Sequence, residues 1–305
     1  SAKPKQPFLC FGLMCCILSG LFFSVNALMV KMVKSIGPIQ MLGARCWVQF
    51  VILLPFVMYN WKIRGVDFIG PTKSFKLLLL RSLTGSSAAM IFYQSIARLP
   101  LGDAVTLMFS SIVFVHIFAF FFLHERPTVL DIFFSVVILV GVVFIAKPPF
   151  IFDSATVYDT ARLYGTLFGV LAASLAALTF VIVRKLGIAT HCSLNVLYYS
   201  FVGSLTSLIF TPTIEGFKLP CSSEVGYILA AGFSGCAGQL FMALGLQYER
   251  AGTFSMLKSL QIVLSFIFQI TILHNIPSTL SLAGACLIFS SIFGIAIRKI
   301  YNECF

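Results

Sequence analysis

Three positively charged side chains interrupt long apolar stretches of this sequence, where a charge is costly and therefore informative. Arg45, Arg81 and Lys258 are each embedded in apolar residues, and no aspartate or glutamate occupies a comparable position. A lysine or arginine inside a membrane span costs about 2.5–3.5 kcal/mol, so it should face protein or water. Without acidic partners, the counter-charge is expected to be a bound anion, or else solvent. The pattern predicts an anion site within the membrane.

The side chains around these cations indicate how such a site could work. Lys258 shares a helix face with Gln261, Ser265 and Gln269, because residues three or four positions apart lie on one side of a helix. The planar guanidinium of an arginine binds a carboxylate or a phosphate through two hydrogen bonds. The alternative for each cation is that its long side chain extends to the nearby membrane interface.

Polar residues on other apolar segments are predicted to complete the site. The predicted substrate-binding set is Arg45, Arg81, Lys258, Asn26, Tyr93, Gln239, Gln261 and Ser110. Tyr198 and Tyr199 are interpreted either as gate aromatics or as tyrosines of the interfacial belt.

Motifs for catalysis, cofactors and metals do not occur in the sequence. It contains no intramembrane aspartate pair, no Gly-x-Ser-x-Gly, no His-Glu-x-x-His and no P-loop. The nine cysteines lack metal-type spacing. We therefore predict no enzyme activity, no catalytic residue, no cofactor and no metal, and the missing P-loop argues against ATP-driven pumping by this chain.

The composition indicates a multi-pass membrane protein. The 305 residues are 59% hydrophobic and 10% charged, with a mean hydropathy of +1.01, whereas soluble domains are about 25% charged. The runs predicted to span the membrane are 8–31, 40–60, 76–97, 102–123, 129–146, 164–186, 194–211, 225–247, 253–273 and 279–297. The net charge of +11 is attributed to basic loops that orient such a protein, and no nucleic-acid partner is predicted.

Charge and internal repetition predict the topology. With the N-terminus in the cytosol, 12 of the 21 lysines and arginines lie inside, six outside and three within spans. This bias places both termini in the cytosol. Leu101-Gly102 and Ala251-Gly252 begin similar apolar runs 150 residues apart. The prediction is an all-α membrane protein of ten transmembrane helices, arranged as two inverted five-helix repeats, 1–150 and 151–305.

Several motifs carry a resemblance to a known family. Residues 100–104 (Pro-Leu-Gly-Asp-Ala), 124–127 (His-Glu-Arg-Pro) and 249–252 (Glu-Arg-Ala-Gly) resemble the drug/metabolite transporter superfamily of the EamA type. Leu80-Arg81, residues 147–150 and the region around Lys258 are similar to solute carrier family 35, subgroup G.

The resemblance implies an alternating-access carrier. Its central cavity would be lined mainly by helices one, three, four, six, eight and nine. Its substrates would be small organic anions such as citrate-like di- or tricarboxylates. Nucleotide-sugar exchange is the alternative, and a membrane scaffold that regulates a partner protein is a hypothesis of another class. The expected setting is the lipid bilayer of the plasma membrane, with the endoplasmic reticulum and the Golgi as alternatives. Homodimerisation is left open.

Overall fold

The computed structural model is a bundle of α-helices. It describes residues 11–64, 72–96, 98–99, 101–146, 151, 160–187, 190–271 and 279–304. Within these ranges there is no β-strand, and nine helical segments are long and apolar enough to cross a membrane. The predicted all-α, multi-pass membrane protein is confirmed. The inverted arrangement of the two five-helix repeats and the cytosolic location of both termini stay predictions.

The helices follow the apolar runs closely. They are α1 (Phe11–Met32), α2 (Pro38–Arg64), α3 (Thr72–Ile96), α4 (Leu101–Phe109), α5 (Ser111–Phe118), α6 (Val129–Ala146), α7 (Thr160–Leu186), α8 (Cys192–Ile214), α9 (Val225–Tyr248), α10 (Ala251–Lys258), α11 (Leu260–Thr271) and α12 (Thr279–Cys304). A π-helical turn, Ala119–Leu123, continues α5, and a 3₁₀ turn, Ser222–Glu224, precedes α9. Some helices, such as α12, extend beyond the apolar segment that predicts them. A helix can continue outside the hydrocarbon because its backbone hydrogen bonds are internal.

The fourth and ninth apolar runs differ from the continuous helices expected of them. Ser110 separates α4 from α5, and Ser259 separates α10 from α11. Each serine hydroxyl donates to the carbonyl three residues earlier, Leu107 O or Met256 O, over 2.5 Å. Such local bonds compete with the helical backbone pattern. The last two residues of the predicted ninth run, 272 and 273, lie outside the described residues.

The helices of the two halves pack against each other in a reciprocal pattern. The first helix of each half contacts the third helix of the other, as α1 does with α9 and α3 with α7. The second helices pair with each other, as do the last helices, α6 and α12. Small residues permit some of these approaches: a side-chain carbon added to Gly141 of α6 would lie 2.8 Å from the carbonyl oxygen of Gly284 in α12. This packing surrounds the centre of the bundle with helices from both halves.

Candidate functional site

A cavity of about 800 Å³ lies in the centre of the bundle. It extends from Arg81, the tenth of the 25 residues in α3, to helix ends at Lys31, Ile96 and Ala146. The side chain of Lys31 is exposed there, so we call this end the open face. The opposite end, where α1 begins and α12 ends, is the closed face. The lining also includes residues of α2, α6 and α8, which are the second, fifth and seventh predicted spans and which the resemblance did not lead us to expect.

Arg81 is the most deeply buried cation of the cavity. Its side chain has no exposed surface, so it does not extend to the membrane interface. Its Nη2 donates to Gln239 Oε1 over 2.6 Å. Its Nε and Nη1 are buried and have no hydrogen-bond partner among the described residues. A buried charge without compensation costs several kcal/mol, so these N–H groups favour an anionic ligand.

Arg45 is held by two neutral oxygen atoms. Its Nη1 donates to Asn26 Oδ1 over 3.0 Å and its Nη2 to Tyr199 Oη over 3.3 Å. Asn26 is itself fixed, because its Nδ2 donates to Ala231 O over 2.6 Å. The Nε of Arg45 has no partner in the described part of the chain. The arginine is therefore positioned while its charge stays uncompensated.

Tyr199 connects the two arginines and was missing from the predicted site. It is 3% exposed, and Cζ of Arg81 lies 4.5 Å from the centre of its ring. Its neighbour Tyr198 instead packs edge-on against Phe75, with ring centres 6.0 Å apart. Consecutive helical residues point about 100° apart. Only the packing of α8 therefore decides which of the two tyrosines faces the cavity.

Lys258, the last residue of α10, lies between two aromatic rings. Its Nζ is 4.5 Å from the ring centre of Phe180 and 5.1 Å from that of Phe23. Ring faces attract a cation without neutralising it. Gln261 and Ser265 line the same cavity, which places this part of the predicted polar stripe on the cavity side. The side chain of Gln269 lies outside those that the structure describes.

Seven of the eight predicted site residues line the cavity: Arg45, Arg81, Lys258, Asn26, Tyr93, Gln239 and Gln261. Ser110 is not among the lining residues, since its hydroxyl is bonded at the break between α4 and α5. Their roles in binding stay predictions. Sequence reasoning missed Thr179 and Lys31 as well as Tyr199. A lysine at a helix end carries no signal in the sequence that it borders a cavity.

The cavity is electrostatically one-sided. Among the described residues that line it there is no aspartate or glutamate, whereas four are cationic: Lys31, Arg45, Arg81 and Lys258. None of the last three forms a salt bridge with a described residue. Charges of one sign that line a cleft with apolar walls concentrate ions of the opposite sign. The cavity can therefore attract and hold anions.

Glu125 joins three elements on the closed face. Its Oε1 accepts from Arg184 Nε over 3.0 Å, and its Oε2 accepts from the backbone N–H of Ala251 over 3.0 Å. Arg184 also donates to the carbonyls of Leu246 and Gln247. A carboxylate is favourable at Ala251, because this residue begins α10. These bonds tie α7, α9 and α10 to the segment that follows the π-helical turn.

Two further ion pairs and an apolar layer complete the closed face. Arg298 bonds Asp131 over 2.8 Å, and Lys299 bonds Glu249. Between this face and the cavity lie Phe254, Leu246 and Leu257, which have no exposed surface. These buried side chains separate the closed face from the cavity among the residues that the structure describes.

Comparisons with known proteins identify relatives of this chain. The model of the EamA-like transporter family matches residues 10–147 and 163–297. Solute carrier family 35 member G1 of Homo sapiens is 35% identical over 99% of this chain and 83% of the relative. The pseudopaline exporter CntI of Pseudomonas aeruginosa is 26% identical over 94% of this chain and 96% of the relative. One crystal structure superposes with a TM-score of 0.80 over 96% of this chain and 98% of the other chain. Because the two chains are 14% identical, this likeness shows the fold alone.

Proposed function

We propose, on the premise that the chain belongs to the EamA-like transporter family, that its cavity carries small organic anions across the membrane. The family match and the 35% identity to a solute carrier confirm the resemblance to solute carrier family 35, subgroup G. The chain is therefore a multi-pass membrane transporter and not an enzyme. The substrate class and the mechanism are what we add.

The observation that carries the proposal is the state of Arg81. Its guanidinium is fully buried, and its Nε and Nη1 have no partner among the described residues. The cavity beside it is not lined by any described carboxylate. A bound carboxylate would accept from one of these N–H groups and supply the missing charge.

The number of cations favours a substrate with more than one acidic group. Arg45, Arg81 and Lys258 line one cavity, and a citrate-like di- or tricarboxylate supplies two or three negative charges. In this proposal Asn26, Tyr93, Gln239 and Gln261 orient the substrate through neutral hydrogen bonds. A cavity of about 800 Å³ has ample room for a molecule of this size.

We further propose that the halves 1–150 and 151–305 form an inverted repeat and that alternating access moves the substrate between the two faces. The reciprocal helix contacts and the serine breaks in the fourth and ninth runs support this arrangement. The excess of lysine and arginine assigns the closed face to the cytosol. The conformation described is then the outward-open one.

Membrane voltage favours export. A trianion that crosses alone changes in free energy by roughly 7 kcal/mol per 100 mV, because each charge contributes about 2.3 kcal/mol. A negative cell interior therefore drives it outward without a coupling ion. Export is also the direction in the name of the related pseudopaline transporter. We accordingly propose the plasma membrane as the working location.

A nucleotide-sugar or nucleotide exchanger is the second candidate. Its phosphates would use the same cations, and it would need aromatic surface for the base. Phe92 and Phe268 line the cavity, which favours this alternative over other phosphorylated substrates. Of the two candidates, the exchanger requires a nucleotide on the opposite side of the membrane and the carboxylate carrier does not.

The test is flux into liposomes that contain the purified protein. Labelled citrate, succinate and a UDP-sugar are compared, with the voltage set by potassium and valinomycin. Lys258→Gln is measured beside Arg98→Gln, because Arg98 is exposed and its described partners are Gln94 and the ring of Phe168. We expect saturable, voltage-sensitive carboxylate flux that Lys258→Gln reduces at least tenfold and Arg98→Gln leaves intact.

Other outcomes would redirect the assignment. Flux that requires nucleotide inside the liposomes would favour the exchanger. No flux of any of the three, from protein shown to be folded, would contradict anion transport. A membrane scaffold would then gain support if its partner still bound Lys258→Gln normally.

A further inference from the structure

We infer that Tyr199 positions Arg45 and Arg81 relative to each other and thereby makes the cavity prefer anions with two or more acidic groups over monoanions. The inference rests on the proposed function, because it concerns the same site. It assigns the selectivity of that site to a residue that does not itself carry charge.

The evidence is that one side chain contacts both arginines in two different ways. The hydroxyl oxygen of Tyr199 accepts a hydrogen bond from Arg45 Nη2 over 3.3 Å. The face of its ring lies 4.5 Å from Cζ of Arg81. The arginines belong to α2 and α3, whereas the tyrosine belongs to α8. A helix of the second half thus sets the relative position of two cations from the first.

Tyr199 is well suited to this role because it cannot move easily. A side-chain carbon added to Gly85 would lie only 3.3 Å from its Cε2, so the helix backbone of α3 supports the ring directly. Leu42 and Cys46 of α2 pack against it, and both are fully buried. A tyrosine has two rotatable side-chain bonds, and close packing leaves little freedom at either. The ring is therefore held in place against α2 and α3, and this fixes the separation of the two guanidinium groups that contact it.

The geometry leaves each arginine a donor group for a ligand. Nε of Arg45 is unpartnered among the described residues, as are Nε and Nη1 of Arg81. A ligand with two carboxylates can engage both guanidinium groups, and once the first has bound, the second contact is intramolecular. A monoanion has a single acidic group and gains no second contact of this kind. The fixed separation therefore increases the affinity for polycarboxylates specifically.

The substitution Tyr199→Phe separates the two contacts. It removes the oxygen that Arg45 contacts and keeps the ring beneath Arg81. Arg45 then has Asn26 as its remaining described partner. We expect the affinity for citrate to fall about tenfold, as for loss of a hydrogen bond to a charged group, and the affinity for acetate to change less than about twofold.

The experiment measures competition by unlabelled citrate and by acetate against labelled citrate uptake into proteoliposomes. Wild type, Tyr199→Phe and Tyr198→Phe are compared, and thermal unfolding of each purified protein monitors folding. Tyr198 is the matched control, since it adjoins Tyr199 in sequence but packs against Phe75. A lower ratio of citrate to acetate affinity in Tyr199→Phe alone would support the inference. That ratio would not change if Tyr199 only stabilised the fold.

Two results would overturn the assignment, and they differ from failure of the proposed function. Equal losses for citrate and acetate, or no change for either, in a wild type that transports citrate would contradict the role of Tyr199 alone. Absence of citrate flux through the wild type would overturn both proposals.

Discussion

The cavity and the closed face both contain lysine and arginine side chains, but the groups that contact those side chains differ. On the closed face three cations bond carboxylates, in the pairs Arg184–Glu125, Arg298–Asp131 and Lys299–Glu249. In the cavity, Arg45 bonds an amide and a phenol, Arg81 bonds an amide and lies over a ring, and Lys258 lies between two rings.

The difference shows how one protein can use the same residue types to seal one end and to bind at the other. A carboxylate both positions a cation and neutralises it, which suits a closed interface. Neutral oxygens and aromatic faces position a cation but leave its charge available. The cavity cations therefore keep their attraction for an anion, whereas the three paired cations of the closed face are neutralised. Four substitutions test this contrast.

Arg81→Ala should have the largest effect, because it removes the buried charge on which the proposed site depends. Truncation of one partner in a buried charge contact costs roughly 2–5 kcal/mol, so citrate transport should fall at least thirtyfold. The variant should still fold, since it also loses an uncompensated buried charge. Transport and thermal unfolding are both measured, with the exposed Arg98→Ala as the control. Transport at the wild-type rate would refute the electrostatic model of the cavity.

Gln239→Glu should make the cavity resemble the closed face. The new carboxylate would replace an amide oxygen that lies 2.6 Å from Arg81 Nη2, and so would neutralise the guanidinium internally. We expect about a tenfold loss of citrate affinity, measured by competition in proteoliposomes. Gln239→Leu is the control, because it removes the amide without adding charge. A smaller loss for Gln239→Glu than for Gln239→Leu would contradict the proposal that open positive charge binds the substrate.

Glu125→Gln makes the opposite change, on the closed face. It removes the charge that pairs with Arg184 and that supports the start of α10 at Ala251. Because both partners are partly exposed, we expect a shift of about 1 kcal/mol, or roughly fivefold, towards opening of this face. Alkylation of Cys192, which lies beside Gln247 on the closed face, should become faster. The labelling rate of Cys221, near Ser35 at the opposite end, is the internal reference. Unchanged labelling of Cys192 would show that this pair does not hold the face closed.

Arg298→Gln should have the smallest effect. Arg298 bonds Asp131 and Thr128, and its side chain is 31% exposed, the highest value among the six partners of these pairs. Exposed pairs contribute about 0–1 kcal/mol, so transport should change less than about fivefold. A loss as large as that of Arg81→Ala would contradict the proposal that the cavity cations bind the substrate and the closed-face pairs do not.

The sequence alone determined much of the fold and part of the candidate site. Apolar runs longer than a bilayer is thick have few alternatives to helices, because backbone groups in lipid must bond internally. The same reasoning made Arg45, Arg81 and Lys258 conspicuous, and all three line the cavity. Hydropathy contains no information about the breaks at Ser110 and Ser259, which interrupt two of the predicted spans.

Only the tertiary structure decided how these residues meet. Arg45 and Tyr199 are 154 positions apart, and Arg81 and Gln239 are 158 apart, so no local pattern connects them. Tyr199 faces both arginines while Tyr198 faces Phe75, and this depends on the rotation of one helix against its neighbours. Hydrophobicity determines which segments enter the membrane, because it acts on each segment separately. The arrangement of charges in the cavity depends on close packing between segments, which no segment specifies alone.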